Sequence, residues 1–125
     1  MIIAAKNAEG RGDINFALSM ANIDGYYYKP RIDLELLFNI PKDNVIITSA
    51  CVAGWNYEDA EDIWLKIHKY FGDNFFLEVQ YHNTDKQKEL NKKILRIAKE
   101  HNIQIICVLI AIMLKKKMQL NVTRF

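Results

Sequence analysis

The apolar positions of this chain fall into short continuous runs separated by longer stretches with helical spacing. Four runs have the length of a buried β-strand and end in polar or small residues. They cover residues 2–5, 45–48, 75–79 and 103–107. The pattern therefore predicts four strands with helical segments between them.

The stretch after the first run predicts a loop followed by a helix. Gly10 and Gly12 are expected in the loop, and Asp13 is expected to begin the helix. Apolar residues at i, i+3, i+4 and i+7 then predict one buried helix face. The residues expected on that face are Ile14, Ala17, Leu18 and Ala21.

Capping residues predict the remaining helices. Asp33 is a good N-cap for a short helix, and Thr84 with Gln87 fits the capping box of a long one. Between them, Asn56 is expected to cap a helix that ends at Gly72. Parallel strands need a crossover that a helix usually supplies, so this order predicts the α/β class with parallel strands.

Composition narrows the class of protein further. The 125 residues carry 17 Lys+Arg against 15 Asp+Glu, and 50% of them are hydrophobic. This balance fits one folded domain and excludes a disordered tail. It also argues against a protein that coats nucleic-acid phosphates, which usually has a strong basic excess.

The absence of recognisable membrane and secretion signals in the sequence bears on the expected cellular location. The longest apolar run, at 105–114, is about half the length of a membrane-spanning helix. Two cysteines, Cys51 and Cys107, form neither a disulfide framework nor a CxxC pair, and no secretion signal is recognisable. We therefore expect a cytoplasmic protein with no membrane partner.

Candidate chemistry concentrates at the carboxyl ends of the predicted strands, where α/β sheets bind ligands. Lys6 and Asn7 follow the first strand, and Cys51 lies in a turn of small residues after the second. The Cys51 thiolate is a candidate metal ligand or nucleophile, with a small buried filler as the alternative.

Two further groups have open alternatives. Two-residue alternation predicts that Glu78, Gln80 and His82 lie on one strand face. These side chains could act as metal ligands or as an acid and base, or they could form a hydrogen-bonded polar layer. Lys29 and Arg31 follow three tyrosines and could bind a phosphate or a nucleic-acid backbone, or lie in a packed loop with solvated charges.

Four segments, taken in order, resemble one family. They are AKN with EG at 5–10, GYYYKPRID at 25–33, TSACVAG at 48–54 and FLEVQ at 76–80. Together they resemble the PHP (polymerase and histidinol phosphatase) domain of the bacterial DNA polymerase III alpha subunit, including versions carried by phages. The resemblance covers residues 2–106.

The resemblance implies a partial distorted (β/α) barrel of PHP type and a metal cleft built from His, Asp, Glu and one Cys. In some members this cleft supports 3′–5′ exonuclease or phosphoesterase activity. Cys51 matches the cysteine ligand of the family, whereas Glu78 and His82 match residues typical of the strand without being assigned as ligands. The divalent metal (Zn, Mn or Mg) of the intact site is not expected to bind this chain stably.

Other family features are not found in the sequence. The opening His-x-His motif with its following ligands would precede Met1, and the polymerase palm would lie far downstream. We therefore expect an inactive fragment, with residues 2–107 as a partial PHP domain, whose partners are the remaining alpha subunit, the replisome and DNA. Such a partial barrel is expected to be poorly soluble or partly molten. The alternatives are a stand-alone metal-dependent phosphoesterase and a module that contacts DNA or a polymerase.

The segment from 108 to 125 departs from the family, whose Asp-x-His-Tyr motif should stand there. When codons from Val108 onward are read from their third base, permitted choices spell Ala-Asn-Ser-His-Tyr-Val and then Lys-Lys-Lys-Asp-Ala. Met118 followed by Gln119 forces that last alanine. We therefore expect 108–125 to be an out-of-frame or irregular tail.

Overall fold

The computed structural model describes residues 1–108, in which helices and strands alternate. The elements are β1 (Ile2–Ala5), α1 (Ala8–Ile23), α2 (Leu34–Phe38), β2 (Val45–Thr48), α3 (Ala60–Phe71), β3 (Phe75–Gln80), α4 (Asp85–His101) and β4 (Gln104–Val108). This order confirms the α/β class. Apart from Val108, the last residue of β4, the proposed out-of-frame segment lies outside the described residues.

Within residues 1–108, the sheet has four strands in the order β1-β2-β3-β4. β2 pairs in parallel with β3, and β3 with β4, as predicted. β1 instead runs antiparallel to β2, with Ile2 opposite Thr48. The reason is the connection: α1 and the segment containing α2 bring the chain back to the end of β1, where the Lys6 N–H donates to the carbonyl of Asn44 at 2.9 Å.

α1 begins five residues before the predicted start at Asp13, since its first residue is Ala8. Asn7 is the N-cap, and its side-chain oxygen accepts a hydrogen bond from the Gly10 N–H at 2.7 Å. The two glycines therefore lie within the helix and not in a loop. Gly10 is needed because a Cβ there would collide with the backbone carbonyl of Asn44.

The buried face of α1 is narrower than predicted. Ala17 and Ala21 are buried, whereas Leu18 is 54% exposed and Ile14 is half-buried. The buried residues of this helix are all small, namely Gly10, Ala17 and Ala21, and Leu18 lies outside the stripe that they form.

The caps of the other helices agree in part with those predicted from the sequence. Asp33 accepts from the Leu36 N–H at 2.8 Å, and Thr84 accepts from the Gln87 N–H at 3.3 Å, as predicted. Gly72 ends α3 with a positive φ of 56°, which suits glycine. The Asn56 cap is wrong, because residues 52–55 form a separate 3₁₀ turn and α3 starts at Ala60 after Asp59.

One face of the sheet carries the core. Strand residues on that face are fully buried against the helices; they include Val45, Ile47, Phe75 and Leu77. Alternation places Ile46, Phe76 and Ile106 on the opposite face, outside the core cluster. The four described strands thus form an open sheet with one helix-covered face, consistent with part of a barrel.

Candidate functional site

The carboxyl ends of β2 and β3 meet at one edge of the sheet because these strands are parallel. Ser49, Ala50 and Cys51 follow β2 there, and Tyr81 and His82 follow β3. The structure therefore brings the segments that follow β2 and β3 together.

Lys6 and Asn7 lie at the opposite edge, contrary to the sequence prediction. The antiparallel direction of β1 places them beside the starts of β2 and β3. The Lys6 Nζ donates to the Asn74 side-chain oxygen at 3.2 Å, and the Asn7 side-chain amide donates to that of Asn44 at 3.1 Å. Their polar groups tie elements together at that edge and do not join the candidate site.

A buried carboxylate forms the centre of the site. Glu78 is 4% exposed and uses both of its oxygens. The Thr48 hydroxyl donates to its Oε2 at 2.9 Å, and the Gln80 side-chain amide donates to its Oε1 at 2.6 Å. The backbone N–H of Glu78 donates to the Ser49 hydroxyl at 2.9 Å, so both the side chain and the backbone of Glu78 are bonded to the end of β2.

Helix α4 extends this hydrogen-bonded cluster. The Asn91 amide donates to the backbone carbonyl of Gln80 at 2.8 Å, and the buried Gln87 amide donates to the Asn91 side-chain oxygen at 2.9 Å. Sequence reasoning placed Ser49 at this strand end but missed Thr48 and Asn91. Thr48 and Glu78 lie on the same face of the sheet, but this shared face can be recognised only when the pairing of β2 with β3 is known.

Cys51 lies at the start of the 3₁₀ turn Val52–Trp55, and its side chain is exposed. Its carbonyl accepts from the Gly54 N–H at 3.1 Å. Ala50, just before it, has a positive φ of 55°, an uncommon conformation that is often retained near functional sites. An exposed thiol does not fill space in the core.

His82 is half-buried and lies two residues beyond the end of β3. Strand alternation therefore joins Glu78 to Gln80 but does not extend to His82. Glu78 and Gln80 form the hydrogen-bonded layer that was one of the alternatives for this group.

The described residues do not make a metal site by themselves. In the 1–108 region, no three His, Cys, Asp or Glu side chains are grouped so that they could hold an ion. A stable protein site for Zn²⁺ normally uses three or four such ligands, and Cys51 is one donor. No step of a reaction can therefore be assigned here to a bound metal.

Lys29 and Arg31 lie on the loop between α1 and α2. Within the described part of the chain, neither side chain has a hydrogen bond or an ion pair with Cys51, Glu78 or His82. They form a separate candidate surface. As for the helices of residues 1–108, none combines the length and apolar character needed to span a bilayer.

Comparison with known proteins agrees with the resemblance. The family model described as "PHP domain" matches residues 1–82. DNA polymerase III subunit alpha of Borreliella burgdorferi is 31% identical over 113 residues, and that of Aquifex aeolicus is 32% identical over 114 residues. The protein of the same name from Treponema pallidum is 36% identical over 107 residues.

These alignments cover most of this chain and little of its relatives. They include 84%, 85% and 78% of the chain, respectively. The corresponding shares of the relatives are 10%, 10% and 9%, so the chain spans about a tenth of their length. The chain therefore belongs to the PHP domain family, and it is homologous to the PHP domain of DNA polymerase III alpha subunits.

Proposed function

We propose that this chain is part of the PHP domain of a replicative DNA polymerase alpha subunit that acts in the cytoplasm. The observation that carries the proposal is the family match over residues 1–82, together with alpha-subunit relatives that align with most of the chain. DNA-directed DNA synthesis, a nucleotidyl transfer, would belong to the complete subunit. Its partners would be the rest of that subunit, the replisome and DNA.

Within the domain, we propose that residues 1–108 act as a structural scaffold that contributes one metal ligand. The Thr48–Glu78–Gln80 cluster holds the ends of β2 and β3 together next to the turn that carries Cys51. Cys51 would then supply one thiolate to a cleft for Zn, Mn or Mg that also needs ligands from elsewhere. A 3′–5′ exonuclease or phosphoesterase activity would require that completed cleft.

The nucleotide sequence around the coding region tests the polymerase proposal directly. We expect the flanking DNA to encode the missing PHP ligands upstream and a polymerase palm downstream. Flanking DNA that encodes unrelated proteins in all frames would contradict the proposal.

The same DNA tests the out-of-frame hypothesis for residues 108–125. We expect the codons from Val108 onward to yield His-Tyr when read from their third base. Codons that do not yield His-Tyr in that frame would disprove the hypothesis without affecting the family assignment.

Metal analysis separates the scaffold role from the stand-alone phosphoesterase. We expect the purified 125-residue chain to hold far less than one equivalent of Zn, Mn or Mg and to leave a generic phosphodiester intact. One tightly bound equivalent, lost in Cys51→Ser together with phosphodiester cleavage, would instead favour the enzyme.

A further inference from the structure

We propose that residues 26–31, here named the tyrosine loop, form a binding surface for single-stranded nucleic acid. The proposal goes beyond the PHP assignment, because it depends only on the loop's own residues and does not require a polymerase activity. It also concerns a surface distinct from the Glu78 cluster.

Exposed aromatic rings are the first observation. Tyr26, Tyr27 and Tyr28 are 60%, 63% and 80% exposed, and the rings of Tyr27 and Tyr28 meet edge to face at 4.7 Å between centroids. A cluster of exposed aromatic residues is a common feature of binding surfaces. Unpaired bases stack on such rings with little sequence preference, because every base has a π-face.

Cationic groups beside the rings are the second observation. The Arg31 guanidinium carbon lies 5.1 Å from the centroid of the Tyr27 ring, which orients the charge along the aromatic surface. Among residues 1–108, neither Lys29 nor Arg31 forms an ion pair with a carboxylate within 4.0 Å. Both charges therefore remain available to backbone phosphates.

Carboxylates limit where a phosphate can lie. Asp24, Asp33 and Glu35 line a shallow depression together with Arg31. They would repel a phosphate that entered the depression. The electrostatics therefore place the nucleic-acid strand over Tyr27, Tyr28 and Lys29, outside the depression.

The backbone of the tyrosine loop is organised before any ligand binds. The Tyr27 N–H donates to the Lys29 carbonyl at 3.1 Å, and the Arg31 N–H donates to the Gly25 carbonyl at 3.2 Å. Tyr28 has a φ of +60°, which is uncommon for a bulky residue and carries strain. That conformation directs the most exposed ring of the loop into solvent. A preformed surface loses less entropy when it binds.

The loop favours single strands over duplexes. Stacking on Tyr27 and Tyr28 requires bases whose faces are free, and paired bases inside a duplex do not present them. The loop carries two cations, too few for strong sequence-independent binding to duplex phosphates. Recognition therefore depends on the rings, with charge as a supporting contribution.

Fluorescence anisotropy with a labelled oligo-dT strand tests the proposal on the full 125-residue chain at low protein concentration. Tyr28→Gly removes the ring and also relieves the positive φ, so the fold should be as stable as before. We expect this variant to bind about 5- to 150-fold more weakly, the range found when a stacking residue is truncated. Tyr28→Phe keeps a ring and should bind about as well as the unchanged chain.

Matched controls separate this surface from general effects. Tyr57 is also exposed, at 69%, but lies outside the loop, so Tyr57→Ala should leave binding unchanged. Lys29→Ala should lower the salt dependence of log K by about 0.7, the loss of one phosphate contact on a single strand. Arg31→Ala should lower it less, because Arg31 lines the acidic depression that phosphates avoid. Lys66→Ala, on the exposed side of α3, should not change that slope.

Three results would overturn the proposal. One is the absence of measurable oligo-dT binding by the unchanged chain. Another is equal weakening by Tyr28→Gly and Tyr57→Ala. The last is equal competition by unlabelled oligo-dT, duplex DNA and heparin, which would show binding to any polyanion. None of these results bears on the flanking DNA that tests the polymerase proposal.

Discussion

At the scale of single residues, Glu78 shows how a carboxylate can be buried on a mostly apolar sheet face. Its two oxygens each accept one hydrogen bond, from Thr48 and from Gln80. A buried charged acceptor that loses a donor retains its desolvation cost without compensation. The two donors are therefore expected to contribute to stability through Glu78.

Thr48→Val tests this contribution. The substitution keeps the shape of the side chain and removes the donor to Glu78 Oε2, so we expect a loss of about 1–3 kcal/mol in the free energy of unfolding. Urea denaturation of the chain measures it. Thr48→Ser keeps the hydroxyl and is expected to lose less, and equal losses in the two variants would show that the hydrogen bond does not matter.

The sequence could predict part of this site. Strand alternation placed Glu78 and Gln80 on one face, and the structure joins their side chains. The sequence could not predict that Thr48 and Ser49 contact Glu78, because these contacts depend on the register between β2 and β3. In that register Thr48 lies opposite Phe76. Sequence reasoning also extended the strand pattern to His82, past the point where β3 ends.

At the scale of elements, α1 shows where local reasoning failed. Two nearby glycines are a usual loop signal, but one of them lies where the helix touches the turn before β2. The need for Gly10 comes from Asn44, which is distant in sequence, so no local pattern could reveal it. The antiparallel direction of β1 depends on the same return of the chain and was missed for the same reason.

Gly10→Ala and Gly12→Ala form a matched test of this contact. A Cβ at position 10 would meet the Asn44 carbonyl, whereas a Cβ at position 12 would meet no atom within 4 Å apart from its chain neighbours and the backbone of its own helix. We expect Gly10→Ala to lower stability by about 1–3 kcal/mol through overpacking. Gly12→Ala should raise stability by about 0.5–1 kcal/mol, because alanine favours a helix.

Thermal unfolding followed by circular dichroism measures both changes. The opposite signs are the essential result, since both substitutions place the same residue in the first turns of one helix. If both variants became more stable, the close approach of α1 to Asn44 would be wrong.

At the scale of the whole molecule, the two faces of the sheet differ. One face packs against the helices through fully buried side chains such as Ile47, Phe75 and Leu77. The other presents Ile2 and Ile106 to solvent within the described residues, with exposed fractions of 54% and 39%. An extensive core argues for a folded chain, whereas the open apolar face favours association between chains. Of the two expected behaviours, poor solubility therefore has more structural support than a molten state.

Two substitutions on β4 test which face drives association. Ile105 and Ile106 are almost equally exposed, at 40% and 39%, but alternation places them on opposite faces, with Ile105 opposite Leu77 of the core side and Ile106 opposite Glu78. We expect Ile106→Lys to reduce association strongly in sedimentation velocity, because it places a charge on the open face. Ile105→Lys should reduce it less, since its charge lies on the helix-covered side. Equal effects of the two substitutions would show that the edge strand β4, and not the open face, drives association. If the unsubstituted chain is monomeric and melts in one sharp cooperative transition, the open face does not drive association.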